Sequence, residues 1–181
     1  SARGALAACE ESLAVLRPGS ADKGVADQRF ARCVVTGGGT GLGLAYAQKG
    51  PEGTLTVSET FGGHMACPRI SEEHMDSIAS LRKRLNHGRA PVAEDVISGP
   101  GLALLIRACA IEAGEDCGPV ELEDVLTPAN LKPDYVHRAL RLFHEFLGLF
   151  VNGACLYGHA FAGIYLDGGI IHELRARGLF D

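Results

Sequence analysis

Apolar residues recur along most of this chain with two distinct periods, and the changes of period mark its elements. Residues 4–16 (GALAACEESLAVL) carry a short helical pattern, and 17–28, with Pro18 among small and polar residues, read as a loop. Residues 31–36 (ARCVVT) form a continuous β-prone run, 44–47 (LAYA) a second, and 53–59 (GTLTVSE) an alternating third. Between the first two runs lies Gly37-Gly38-Gly39-Thr40-Gly41-Leu42-Gly43, and the segment leaving it is cut off by Gly50, Pro51 and Gly53. Too short for an ordinary helix, that segment predicts a strand, so the glycine run is the turn of a hairpin.

A helical period then takes over. Ser71-Glu72-Glu73 supplies an N-cap and first-turn acids for a helix over 71–86, with Met75, Ile78, Leu81 and Leu85 as its apolar stripe. Ser98-Gly99-Pro100 opens the helical run 102–113, and 127–133 is a loop. The longest helix spans 134–156, with Val136, Leu140, Phe143, Leu147, Phe150, Val151 and Ala154 on its buried side. A strand over 161–166 ends in Asp167-Gly168-Gly169, and a helix begins at Ile170. Three consecutive strands, then helices, then a strand feeding a helix predict an α/β domain. Its mixed sheet begins with an antiparallel three-strand unit and is flanked by helices.

Composition removes several classes of function. Of 181 residues 46% are hydrophobic and 22% charged, which is ordinary globular usage. The net charge of -5 and the scattered basic groups argue against a nucleic-acid partner. The uncharged stretch 146–166, 21 residues long, reaches the length of a membrane span, but Asn152, His159 and four glycines interrupt it. It reads instead as a buried helix end followed by a buried strand, with no membrane partner. The six cysteines show neither C-x-x-C nor paired Cys/His spacing, so no metal site is expected and a reducing, cytoplasmic setting fits. No secretory leader opens the chain, and its first residue, Ser1, reads as a trimmed start.

The glycine run also matches T-G-x-x-x-G-x-G, the nucleotide fingerprint of short-chain dehydrogenases. That chemistry needs the loop to open a helix that receives a pyrophosphate, and it needs a Tyr-x-x-x-Lys pair. Neither Tyr46, Tyr135, Tyr157 nor Tyr165 has Lys four positions on. The other reading is a hairpin whose backbone N–H groups, with the hydroxyls of Thr36 and Thr40, cradle phosphate oxygens of ATP. A bare turn without a ligand is the bland alternative, and it leaves the entropic cost of so many glycines unexplained.

Four segments in order resemble the bacterial glucokinase family of the hexokinase and actin-like ATPase (ribonuclease H-like) superfamily: Val35-Thr36-Gly37-Gly38-Gly39-Thr40-Gly41-Leu42-Gly43; Gly62-Gly63-His64; Glu94-Asp95-Val96-Ile97-Ser98-Gly99-Pro100-Gly101-Leu102; and Phe161 through Ile170. The similarity covers residue 30 to the end. It implies ATP-dependent phosphorylation of glucose to glucose 6-phosphate, feeding glycolysis, with Mg²⁺ on the nucleotide. It assigns ATP contacts to Thr36, Gly37, Gly38, Gly39, Thr40, Gly41, Gly168 and Gly169, and sugar contacts to His64 and Glu94. A homodimer stays open, as does a non-catalytic relative that binds nucleotide or sugar.

Two departures qualify this. The family carries a Glu three residues before the sugar-binding His, where this chain has Phe61; either Glu59 reaches in through a shifted turn, or sugar selectivity is altered. The family's catalytic Asp, in an Asn-Asp pair, and its Asp-x-Gly-Gly-Thr motif both precede the segment matched here, and neither occurs in these residues. Residues 1–181 are therefore expected to be the large domain of a two-domain sugar kinase, incomplete at both ends and inactive alone.

Overall fold

The computed structural model describes residues 32–50, 52, 54–69, 71–84, 89–115, 117–127 and 130–180. The helix expected over 4–16, the loop after it and Cys9 lie outside these. Strands β1 (Arg32–Gly38), β2 (Leu42–Lys49) and β3 (Leu55–Thr60) form an antiparallel meander, and β4 (Ile164–Asp167) joins parallel to β1, giving the order β3-β2-β1-β4. The sheet is mixed, as the order of elements predicts. Because the glycine run leads into β2 rather than a helix, the dinucleotide reading is excluded.

Both edge strands are largely open, and β4 is less covered than expected. β3 is mostly exposed, and β4 starts only at Ile164, itself 49% exposed, rather than at residue 161. Gly163, at φ +150°, breaks the regular ladder just before β4, where the Ala162 N–H still donates to the Arg32 carbonyl, and Phe161 is 72% exposed. The expected buried strand is thus a half-covered edge.

Helix α1 (Glu72–Arg84) starts as its sequence predicts, with Ser71 Oγ accepting from the His74 N–H at 3.3 Å. Its buried face differs. Ile78 and Leu81 are inside, but Met75 is exposed, and His74 and Ser77 take the inner positions. His74 packs on the Phe146 ring, with centroids 4.7 Å apart, and its Nε2 lies 2.7 Å from Glu145 Oε2. The Phe146 ring and the Glu145 carboxylate receive the imidazole on two sides, while its Nδ1 is buried without a hydrogen-bond partner among the described residues.

Helix α2 (Gly99–Glu112) is capped by Ser98, whose Oγ accepts from the Gly101 N–H, with Pro100 in the first turn. The four-residue α3 (Leu122–Val125) has no hydrophobic period and is not foreshadowed. Every residue predicted for the inner face of α4 (Asp134–Gly158) is buried, with Phe143 and Phe146 fully enclosed. By length and composition α4 could cross a membrane, yet half of its most apolar stretch is covered by the rest of the fold.

The last turn of α4 is fastened to the sheet. Tyr46 Oη donates to the Ala154 carbonyl and Arg32 Nη1 to the Gly158 carbonyl, both at 2.9 Å. The Arg32 bond satisfies a carbonyl that the helix end otherwise leaves unpaired, and the Tyr46 bond ties the preceding turn to the sheet. A Cβ on Gly158 would lie 2.0 Å from the Tyr46 ring, so glycine permits the approach. Helix α5 (Gly169–Ala176) follows β4 directly.

Candidate active site

Three loops meet at one end of the sheet, where β1 and β4 both finish. In a sheet with parallel neighbours this carboxyl end is where ligands bind. β1 runs into the glycine turn, and Gly37 is the register partner of Asp167. Crowding at this junction is severe. A Cβ on Gly37 would stand 2.0 Å from the Asp167 carbonyl oxygen, and one on Gly168, whose φ is +104°, 2.4 Å from the Gly38 carbonyl oxygen. Glycine is required here because backbone meets backbone.

The third loop is the start of α2. The Gly99 N–H donates to the Gly39 carbonyl at 2.8 Å, Gly101 to Ser98 Oγ and Leu102 to the Ser98 carbonyl. The first turn of α2 is thereby spent on holding the glycine loop and on its own cap. The start of α5 has no such occupant: Gly168 precedes it and no side chain caps it. Its first N–H groups and the positive end of its dipole lie beside the glycine loop.

Within the loop, the Gly39 N–H donates across the turn to the Gly41 carbonyl at 2.8 Å. The N–H groups of Thr40 and Gly41 have no partner among the described residues, and Thr40 is exposed. Thr36 is placed otherwise than the phosphate-cradle reading expects. It is buried, and its hydroxyl donates to the Gly43 carbonyl at 2.6 Å, so it braces the hairpin.

The residues expected to hold a sugar come from two neighbouring turns. A 3-10 turn, Gly62–His64, folds back on β2, where a Cβ on Gly62 would strike the Leu44 side chain at 2.3 Å and one on Gly63 the Leu42 carbonyl oxygen at 2.3 Å. A second 3-10 turn, Ala93–Asp95, lies against it through Ala93 N–H to the Met65 carbonyl at 2.9 Å and the Ala66–Val92 bridge. His64 is exposed and Glu94 half-buried. The Leu42 N–H donates to Glu94 Oε2 at 2.9 Å, a bond that nothing local in the sequence signals.

Asp95 anchors the second turn. Its carboxylate takes two hydrogen bonds from Arg89, at 2.5 and 2.7 Å, and one from the Val92 N–H at 2.8 Å. Burial works against its ionisation, but the Arg89 and Val92 hydrogen bonds, the Arg89 charge and the nearby His64 outweigh it, and the Asp95 carboxyl lies below its usual range. Asp167 is held low mainly by the hydrogen bond to His172, whose Nε2 is 2.7 Å from Oδ1, with help from the Gly168 N–H.

Glu59 is not brought into this group. It pairs with Ala45 on edge strand β3, while the neighbouring Thr60 faces Leu44 and bonds to its carbonyl at 3.0 Å. Alternation along the strand puts Glu59 on the other face of the sheet from Leu44 and the turn packed on it. The Phe61 position is filled by an aromatic ring 88% exposed, 6.2 Å from the His64 ring. No group of three metal-ligating side chains occurs among the described residues. A concavity of about 410 Å³ lies between α2 and α4, lined by Cys109, Tyr135 and Arg138 among others, and shares no residue with these loops.

A glucokinase family model matches residues 2–177. Among curated relatives, the glucokinase of Photorhabdus laumondii subsp. laumondii is 36% identical over 138 residues, covering 76% of this chain and 42% of that protein. That of Yersinia enterocolitica is 34% identical over 149 residues with the same coverage. Of solved structures, glucokinase from an Antarctic psychrotroph superposes with a TM-score of 0.78 at 25% identity, covering 95% of this chain and 51% of that one. The glucokinase of Balamuthia mandrillaris in complex with glucose superposes with a TM-score of 0.69 at 23% identity, covering 88% and 47%, a likeness of fold. The chain thus spans 42% of the length of the curated relatives it matches. With its mixed sheet, glycine hairpin and strand-to-helix Gly-Gly turn, the chain belongs to the glucokinase family and has its actin-like ATPase fold.

Proposed function

We propose that this chain is the large-domain portion of an ATP-dependent glucokinase that converts glucose to glucose 6-phosphate. The observation that carries the reading is the meeting of the glycine hairpin, the Gly168-Gly169 turn and the Glu94 and His64 turns around the same strand ends. Phosphoryl transfer is mainly positioning plus stabilisation of charge on the phosphoryl oxygens. In this reading the free N–H groups of Thr40 and Gly41 and the uncapped start of α5 face those oxygens. Gly168 and Gly169 let the adenosine lie against backbone. Glu94 accepts sugar hydroxyls and His64 donates or accepts one.

The described residues offer no cage for Mg²⁺. The ion, in this reading, accompanies the nucleotide's own phosphates. The general base, an Asp, is expected from chain preceding these residues, and closure of a second lobe would exclude water. Free thiols at all five described cysteines, with burial pushing Cys67 up to about 12 and Cys109 up to about 11, suit a reducing cytoplasm.

The full-length protein should consume glucose and Mg-ATP and release ADP and glucose 6-phosphate in a coupled assay. Residues 1–181 alone should show no turnover. Well-folded full-length protein that leaves ATP untouched in the presence of glucose would overturn the reading.

A further inference from the structure

Leu42, the first residue of β2 after the glycine turn, is where the two halves of the site touch. Its N–H donates to Glu94 Oε2 at 2.9 Å, and its carbonyl carries the close approach of Gly63, one residue before His64. Opposite it in the hairpin register is Gly38. The Glu94 carboxylate also lies directly over the turn: a Cβ on Gly41 would meet Oε2 at 2.6 Å and Cδ at 3.2 Å. Oε1 makes no hydrogen bond among the described residues, so one carboxylate oxygen is committed to the phosphate loop and the other is open. Because the two oxygens share one rigid plane, fixing either fixes the direction in which the other accepts.

We propose that Glu94 is a positioning residue that couples the sugar site to the phosphate loop, so that a hydroxyl on Oε1 steadies the glycine turn through Leu42. This rests on the sugar-site reading above and adds a role for Glu94 toward the nucleotide. Coupling of this kind is reciprocal: whatever the sugar does for nucleotide affinity, the nucleotide does for the sugar. It also explains why position 41 is glycine although its φ is not in the left-handed region. The space a methyl would take is the space the carboxylate needs.

The test reads each substitution at the site to which it does not belong, in full-length protein, by calorimetry with one ligand at a time. Gly41→Ala displaces only the end of a flexible side chain, so melting should change by no more than a few degrees, while glucose affinity without nucleotide should fall about tenfold. Glu94→Ala should weaken a non-hydrolysable ATP analogue about tenfold without sugar. Glu94→Gln, whose amide oxygen can still accept from Leu42, should stay within about twofold of wild type. Unchanged glucose affinity in Gly41→Ala, or equal nucleotide affinity in the Ala and Gln variants, would overturn the coupling while leaving the kinase reading intact. Failure of the wild type to bind either ligand would remove both.

Discussion

The two sides of the proposed site, one read as binding nucleotide and the other as binding sugar, are built by different means. Around Gly37, Gly38 and Gly168 the fit is backbone against backbone, at separations no side chain tolerates. Around Glu94 and His64 the turns are held by side chains: Asp95 on Arg89, Glu94 on the Leu42 N–H, Thr60 Oγ1 accepting from the Gly62 N–H. Gly63 meets the Leu42 carbonyl oxygen as closely, at 2.3 Å, so tolerance on the second side is confined to its side-chain partners. Binding a phosphate asks for a fixed cradle of N–H groups, whereas choosing a sugar asks for replaceable hydroxyl partners.

The contrast can be broken at either end. The largest effect is expected for Gly168→Ala, which combines φ +104° with a 2.4 Å approach to the Gly38 carbonyl. Loss of about 2 kcal/mol or more in a urea melt, with nucleotide binding abolished, is the expected outcome. Next comes Asp95→Asn, which keeps the shape of the side chain but weakens its hold on Arg89. Since folding lowers the Asp95 pKa, the contribution of its carboxylate is fully present above the unfolded value near 3.8 and is lost as the pH falls through the lower folded value. Wild type should therefore lose stability on acidification through that window, and the variant should show a shallower loss when melts are compared from pH 6 down to pH 2.

Phe61→Glu introduces the residue type that the family resemblance implies for this position. A severalfold gain in glucose affinity would show that the sugar side accepts replacement, and no gain would place selectivity elsewhere. Glu59→Gln should be the smallest change, within about twofold in glucose affinity, because Glu59 lies on the other face of the sheet.

Much of this architecture is legible along the chain. The glycine hairpin, the Ser98-Pro100 helix start and the α4 stripe are written in neighbouring residues, and local signals sufficed for them. What is not legible depends on partners far off in sequence. His74 replaces Met75 on the inner face of α1 because Phe146 and Glu145 receive it. The Thr36 hydroxyl is taken by Gly43 only once the hairpin closes, and Glu94 finds Leu42 across 52 positions. Strand β4 falls short of the expected start where Gly163, at φ +150°, breaks the regular ladder, which a run of apolar letters conceals.

The most direct measurement of the central claim is an amide map of isotope-labelled full-length protein titrated first with a non-hydrolysable ATP analogue and then, separately, with glucose. The nucleotide should shift residues 37–41 and 168–170, glucose should shift His64 and Glu94, and both should shift Leu42. Perturbations confined to other surfaces, such as the concavity between α2 and α4, would contradict it.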